Sequence, residues 1–113
     1  LGIEVVVHKL MILFRTTADP IELETRWSQD FVRLAEKMPG LRRVSVSRIL
    51  GGPGGEVDLH LVHEFYFDNL AAVQQAMASP EGQEAGRALM EFAGESATLL
   101  FAEHLEEARS GGG

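Results

Sequence analysis

From Val5 to Arg15 the chain is apolar on both sets of alternating positions: Val6, Leu10, Ile12 and Phe14 on one, Val5, Val7, Met11 and Leu13 on the other. Strand side chains point alternately to opposite faces, so this pattern predicts a strand buried on both sides. Asp19-Pro20-Ile21-Glu22 then marks a helix start. Asp19 sits at the cap, Pro20 where its missing N–H costs nothing, and Glu22 where a carboxylate completes a capping box. Leu23, Trp27, Phe31, Leu34, Ala35 and Met38 recur along one helical face before Pro39-Gly40, which predicts a helix running to Met38 and packed on a sheet.

Leu41 to Leu50 sets Val44, Val46 and Arg48 against Arg43, Ser45, Ser47 and Ile49, the alternation of a strand with one wetter face, hence an edge. Gly51-Gly52-Pro53-Gly54-Gly55 predicts a mobile hairpin loop, without the Lys-Ser/Thr pair or the following helix of a phosphate cradle. The next strand, Leu59 to Phe67, places Leu59, Leu61, His63, Phe65 and Phe67 on one face and His60, Val62, Glu64 and Tyr66 on the other. Asp68 is expected to cap a short helix through Met77, and Ser79-Pro80-Glu81 to restart a helix to about Ala93 with Ala85, Ala88, Leu89 and Phe92 inward. Ala97 to Glu106 forms the last strand.

The order β-α-β-β-α-β is the split βαβ arrangement of an α+β, ferredoxin-like domain, with a four-stranded antiparallel sheet whose first and third strands are central. Helices on one side cover one sheet face only. Val5, Val7, Met11 and Leu13 leave the other too apolar for water, and the simplest cover is a second copy related by a two-fold axis, so a homodimer is expected.

The chain's 113 residues suit one domain, expected over 1–108, with a disordered tail at 109–113. A net charge of −7, with basic residues gathered only at Arg42-Arg43 and Arg48, argues against nucleic acid as a partner. Absence of cysteine excludes disulfides, thiolate metal ligation and a Cys nucleophile. The apolar run from Ile3 to Phe14 carries Glu4, His8 and Lys9 and is too short to span a membrane. No membrane association and a cytoplasmic location are expected.

Several motifs carry a family resemblance. Glu64-Phe65-Tyr66-Phe67-Asp68, followed by Asn69-Leu70-Ala71-Ala72-Val73 and Ala78-Ser79-Pro80-Glu81-Gly82, resembles the EthD-like family of dimeric α/β-barrel proteins. So do Trp27 and Met38-Pro39-Gly40-Leu41-Arg42-Arg43. The resemblance implies a ferredoxin-like homodimer whose facing sheets enclose a cleft for a small organic molecule. Proteins of this architecture include cofactor-free monooxygenases, lactone isomerases and polyketide cyclases, so oxidoreductase chemistry is one option and the fold alone does not choose a reaction.

His60, Glu64 and Tyr66 share strand parity beside an almost wholly apolar face, and a carboxylate, an imidazole and a phenol around an apolar pocket suit acid/base work. The competing reading is a satisfied polar patch in a dimer interface, with Arg43 as a further partner. Lys9 reads either as an anion anchor or as a charge snorkelling from the strand end. Together with Met11, Arg43 and Val62 it forms the expected ligand lining. His60 and His63 have opposite parity and no helical His-x-x-x-His pair occurs, so no metal site and no cofactor are expected. Gly-x-Ser-x-Gly is absent, which removes the usual hydrolase nucleophile. Two functions follow. The first is a homodimer that binds, and transforms without metal, a small hydrophobic or aromatic carbonyl compound in the cleft; the alternative is a non-catalytic dimeric module whose cleft is packed shut.

Overall fold

A computed structural model describes residues 5–107, and side chains from residue 6 onward; the tail expected at 109–113 lies outside the described residues. The chain runs β1 (Val5–Phe14), α1 (Pro20–Arg26), a π-helical turn (Trp27–Phe31), α2 (Val32–Ala35), β2 (Arg43–Arg48), β3 (Leu61–Phe67), α3 (Leu70–Ala78), α4 (Pro80–Ala93) and β4 (Ala97–Glu106). The four strands form one antiparallel sheet in the order β2-β3-β1-β4. β1 and β3, the two most apolar strands, are central, and the topology is the ferredoxin-like one that their patterning predicts.

The register fixes which residues share a face. Leu10 opposes Phe65, Ile12 opposes His63 and Phe14 opposes Leu61 on the helix-covered side. These side chains, with Phe67 of β3 and Leu23, Phe31, Ala35, Met38, Val73, Ala76, Ala85, Leu89 and Ala93 of the helical layer, form the buried core. The helices stop short of the far ends of β1 and β4, where Val6, Phe101 and Leu105 stay exposed on that side.

Caps set the helix starts. Asp19 Oδ1 accepts from the Glu22 N–H at 3.0 Å, and Ser79 Oγ accepts from the Gly82 N–H at 3.0 Å. For α3 the cap is Asn69, whose Oδ1 takes the Ala72 N–H at 2.8 Å, and not the expected Asp68. Asp68 is instead held by the Arg42 guanidinium through two bonds of 2.8 and 3.0 Å, which leaves the adjacent Asn69 to satisfy the helix. The long first helix is also interrupted: the Val32 N–H reaches back five residues to the Trp27 carbonyl, winding one extra residue into that turn. Gly40 then adopts φ 80°, a left-handed conformation that costs glycine little, and turns the chain into β2. The glycine-rich hairpin closes as a tight turn, with Gly52 and Gly55 exchanging N–H···O bonds of 2.8 and 3.0 Å.

Candidate functional site

On the sheet face away from the helices, antiparallel pairing lays side chains in rows. Arg43, Tyr66, Lys9 and Ala102 form one row; Ser45, Glu64, Met11 and Leu100 the next; Ser47, Val62, Leu13 and Thr98 a third. The polar members converge on the middle of the sheet. Lys9 Nζ donates to Glu64 Oε1 at 2.8 Å, while Ser45 Oγ donates to Glu64 Oε2 at 3.0 Å and the Tyr66 hydroxyl to the same oxygen at 3.2 Å. Lys9 Nζ also lies 3.2 Å from Nδ1 of His104, which stands one row further along β4. His104 Nε2 is 2.7 Å from Glu106 Oε1, and Arg43 both reaches that carboxylate at 3.2 Å and stacks over the Tyr66 ring at 3.8 Å. An ammonium can only donate, so Nδ1 of His104 is the acceptor and its Nε2–H points to Glu106.

Electrostatics keep this cluster charged. Burial pushes the Glu64 carboxyl up, but the hydrogen bonds from Lys9 and Ser45, the Lys9 charge and the Tyr66 hydroxyl outweigh it and hold the group below the usual carboxylate range. The Glu106 carboxyl is lowered as well, first by the hydrogen bond from His104. Lys9 and Glu64 keep only 12% and 15% of their side-chain surface exposed, and Tyr66 is buried at 4%. Next to them Met11, Leu13 and Val62 form a half-buried apolar floor, and Leu100 extends it in the open at 45% exposure. The open face therefore carries a polar centre with donors and acceptors, bordered by apolar side chains that the helices leave uncovered.

Of the residues singled out by sequence, Glu64, Tyr66, Lys9, Arg43, Met11 and Val62 lie on this face together. His60 does not join them. It precedes β3, and its Nε2 lies 2.8 Å from Glu24 Oε2, a carboxylate of α1 that Arg48 also holds at 2.8 and 3.0 Å. Strand parity placed His60 beside Glu64, but the alternation holds only within the ladder, and His60 lies just outside it. The partner expected for Glu64, Arg43, is engaged by Tyr66 and Glu106, and Lys9 supplies the charge instead. Sequence reasoning brought neither Ser45 nor His104 to this face. The available signal was parity across four strands: Ser45 opposes Glu64 directly, and His104 lies two residues along β4 from Ala102, the partner of Lys9.

Trp27 belongs to the opposite, helix-covered side. Its Nε1–H donates to Nδ1 of His63 at 3.1 Å, and His63, fully buried between the Phe31 and Phe65 rings, has its neutral form enforced by burial, with a pKa lowered from 6.5 to about 4.

Comparison with known proteins bears on the family and the fold. Residues 15–96 match the EthD domain. An EthD family protein from Bacillus halodurans has 36% identity and a TM-score of 0.84, covering 87% of this chain and 98% of that one. A dimeric protein of unknown function and ferredoxin-like fold from Bacteroides fragilis, 23% identical with a TM-score of 0.61, covers 87% of this chain and 96% of its own, a likeness of fold. An uncharacterized 11.0 kDa protein of the thcB-thcC intergenic region of Rhodococcus erythropolis is 28% identical over 95 residues, 84% of this chain and 92% of that protein. With most of its length matched by the domain, the chain belongs to the EthD family.

Proposed function

We propose that the chain acts as a homodimer in which two open sheet faces meet and enclose a cleft for a small hydrophobic or aromatic carbonyl compound, bound without a metal. The observation that carries this reading is the polar cluster of Lys9, Ser45, Glu64, Tyr66 and His104 set beside the apolar Met11, Leu13, Val62 and Leu100 on a sheet face uncovered by helices. A face of that composition gains from burial about 25 cal/mol for each Å² of apolar surface removed from water, which favours a second copy over solvent. The dimeric Bacteroides fragilis protein of the same fold supports the assembly. Two N–H groups of Lys9 have partners and an ammonium has three, so the remaining one suits a carbonyl oxygen, while Met11, Leu13 and Val62 suit an apolar body.

The test is a titration of acetophenone into methyl-labelled protein, with the mass in solution measured by sedimentation. The expected result is a dimer at micromolar protein in which the methyl signals of Met11, Leu13 and Val62 shift saturably. A monomer, or a dimer whose methyl signals do not move, would overturn the reading; the second result would establish a module with a closed cleft.

A further inference from the structure

Glu106, His104 and Lys9 stand in a line: Glu106 Oε1 to His104 Nε2 at 2.7 Å, and His104 Nδ1 to Lys9 Nζ at 3.2 Å. A carboxylate orienting an imidazole that faces a nucleophilic atom is the arrangement by which proteins activate weak nucleophiles, and here the atom is an amine. We infer that Lys9 is a Schiff-base-forming lysine whose substrates are aldehydes or unhindered ketones, with His104 as its base and Glu106 as the positioning residue behind that base. This rests on the cleft reading above and adds to it a covalent step.

The step balances without a further reactant. His104 Nδ1 takes a proton from the Lys9 ammonium, and Glu106 stabilises the imidazolium. The freed amine attacks the carbonyl carbon, forming the C–N bond and placing negative charge on oxygen. Glu64, 2.8 Å from Nζ, accepts a proton from that nitrogen and passes it to the oxygen, giving a neutral carbinolamine. The imidazolium then returns its proton to the hydroxyl, the C–O bond breaks and water leaves. What remains is an iminium carrying the charge the ammonium had, paired with the Glu64 carboxylate. Placement favours this use of Lys9: its side chain is 12% exposed, beside the Tyr66 ring at 5.4 Å and in the row adjoining Met11 and Leu100. A desolvated strand position of that kind limits competition from water once the cleft is occupied.

The chain contains only one other lysine, Lys37, which is exposed at the end of the first helical segment and serves as an internal control. Full-length protein is incubated with benzaldehyde and sodium cyanoborohydride, and benzylated peptides are quantified by mass spectrometry. Lys9 is expected to be labelled about ten-fold faster than Lys37, and His104→Asn, which keeps a hydrogen bond but takes no proton, to bring the two rates together. Glu106→Gln should slow Lys9 labelling and displace its pH profile while leaving the thermal midpoint and the dimer unchanged, which a purely structural role would not do. Lys9→Arg, which retains the charge opposite Glu64, should abolish the fast phase and remain folded. Equal labelling of Lys9 and Lys37 in the wild type, or an undiminished rate in His104→Asn, would overturn the inference. If acetophenone still shifts the methyl signals in that event, only the covalent step is lost; if it does not, the cleft reading falls with it.

Discussion

Lowering the pH from about 7 to about 5 should remove about 2 kcal/mol of stability through one side chain, His63. In the folded chain it is neutral, fully buried, and takes the Trp27 indole N–H on Nδ1, while its Nε2 has no partner among the described residues. Burial lowers its pKa from 6.5 to about 4, so as the pH falls the unfolded chain takes up the proton first. The contribution is complete above pH 6.5, declines through the interval and levels off below about 4. Each unit of difference is worth about 1.4 kcal/mol, so the full shift amounts to about 3 kcal/mol, of which about 2 is expressed by about pH 5. The buried carboxylate Glu64 has its pKa lowered from 4.5, so its own loss comes at lower pH and leaves this window to histidine. The assay is urea unfolding followed by the fluorescence of Trp27, the single tryptophan, at fixed protein concentration and several pH values. His63→Phe leaves the indole N–H without an acceptor, a cost of about 1–3 kcal/mol at every pH, so the readout is the slope and not the intercept. The variant should lose about 2 kcal/mol less than the wild type over the interval. Equal slopes in both proteins would refute the assignment of this pH dependence to His63.

Other outcomes follow from packing and charge. Met11→Asp places a carboxylate on the apolar floor of the open face and should weaken the proposed dimer at least about ten-fold by sedimentation equilibrium, with the monomer still folded by circular dichroism. Gly86→Ala should raise stability by about 1 kcal/mol in chemical unfolding, because a Cβ there meets nothing within 4 Å and helix propensity improves. Gly82→Ala should do the reverse, by about 1–3 kcal/mol, since its Cβ would overlap the Ala76 and Met77 carbonyls where α4 crosses α3. Glu64→Gln leaves the Lys9 ammonium without its carboxylate in a mostly buried position and should cost about 2–4 kcal/mol, measured by the same unfolding assay at neutral pH.

The fold was legible because its determinants are local. Alternating positions marked the first three strands, and Asp19, Ser79 and Gly40 mark boundaries through bonds or backbone angles that their own chemistry dictates. Where two neighbouring residues can both cap, sequence does not rank them: Asp68 and Asn69 both qualify, and Arg42, twenty-six residues away in the chain, decides the matter by occupying Asp68. The site was half legible for the same reason. Glu64 and Tyr66 share a strand, so parity alone unites them, but the partners of Glu64 come from β1 and β2, and the imidazole facing Lys9 from β4. Those meetings depend on register between strands far apart in sequence. His60 shows the opposite failure, a residue assigned to a face by extending alternation beyond the last rung of the ladder.

The π-helical turn between Trp27 and Phe31 makes chain length adjustable at one place in this molecule. An extra residue in a continuous α-helix would rotate everything after it by about 100° and turn Phe31 and Ala35 away from the sheet. Here the surplus is wound into a single wide turn closed by the Val32 N–H and the Trp27 carbonyl, with the exposed Ser28, Gln29 and Asp30 on its outer side. Shortening the segment by one of these three should convert the turn to ordinary α-helix while Leu23 on one side and Ala35 on the other keep their contacts, so a one-residue deletion there is expected to leave the core packing intact.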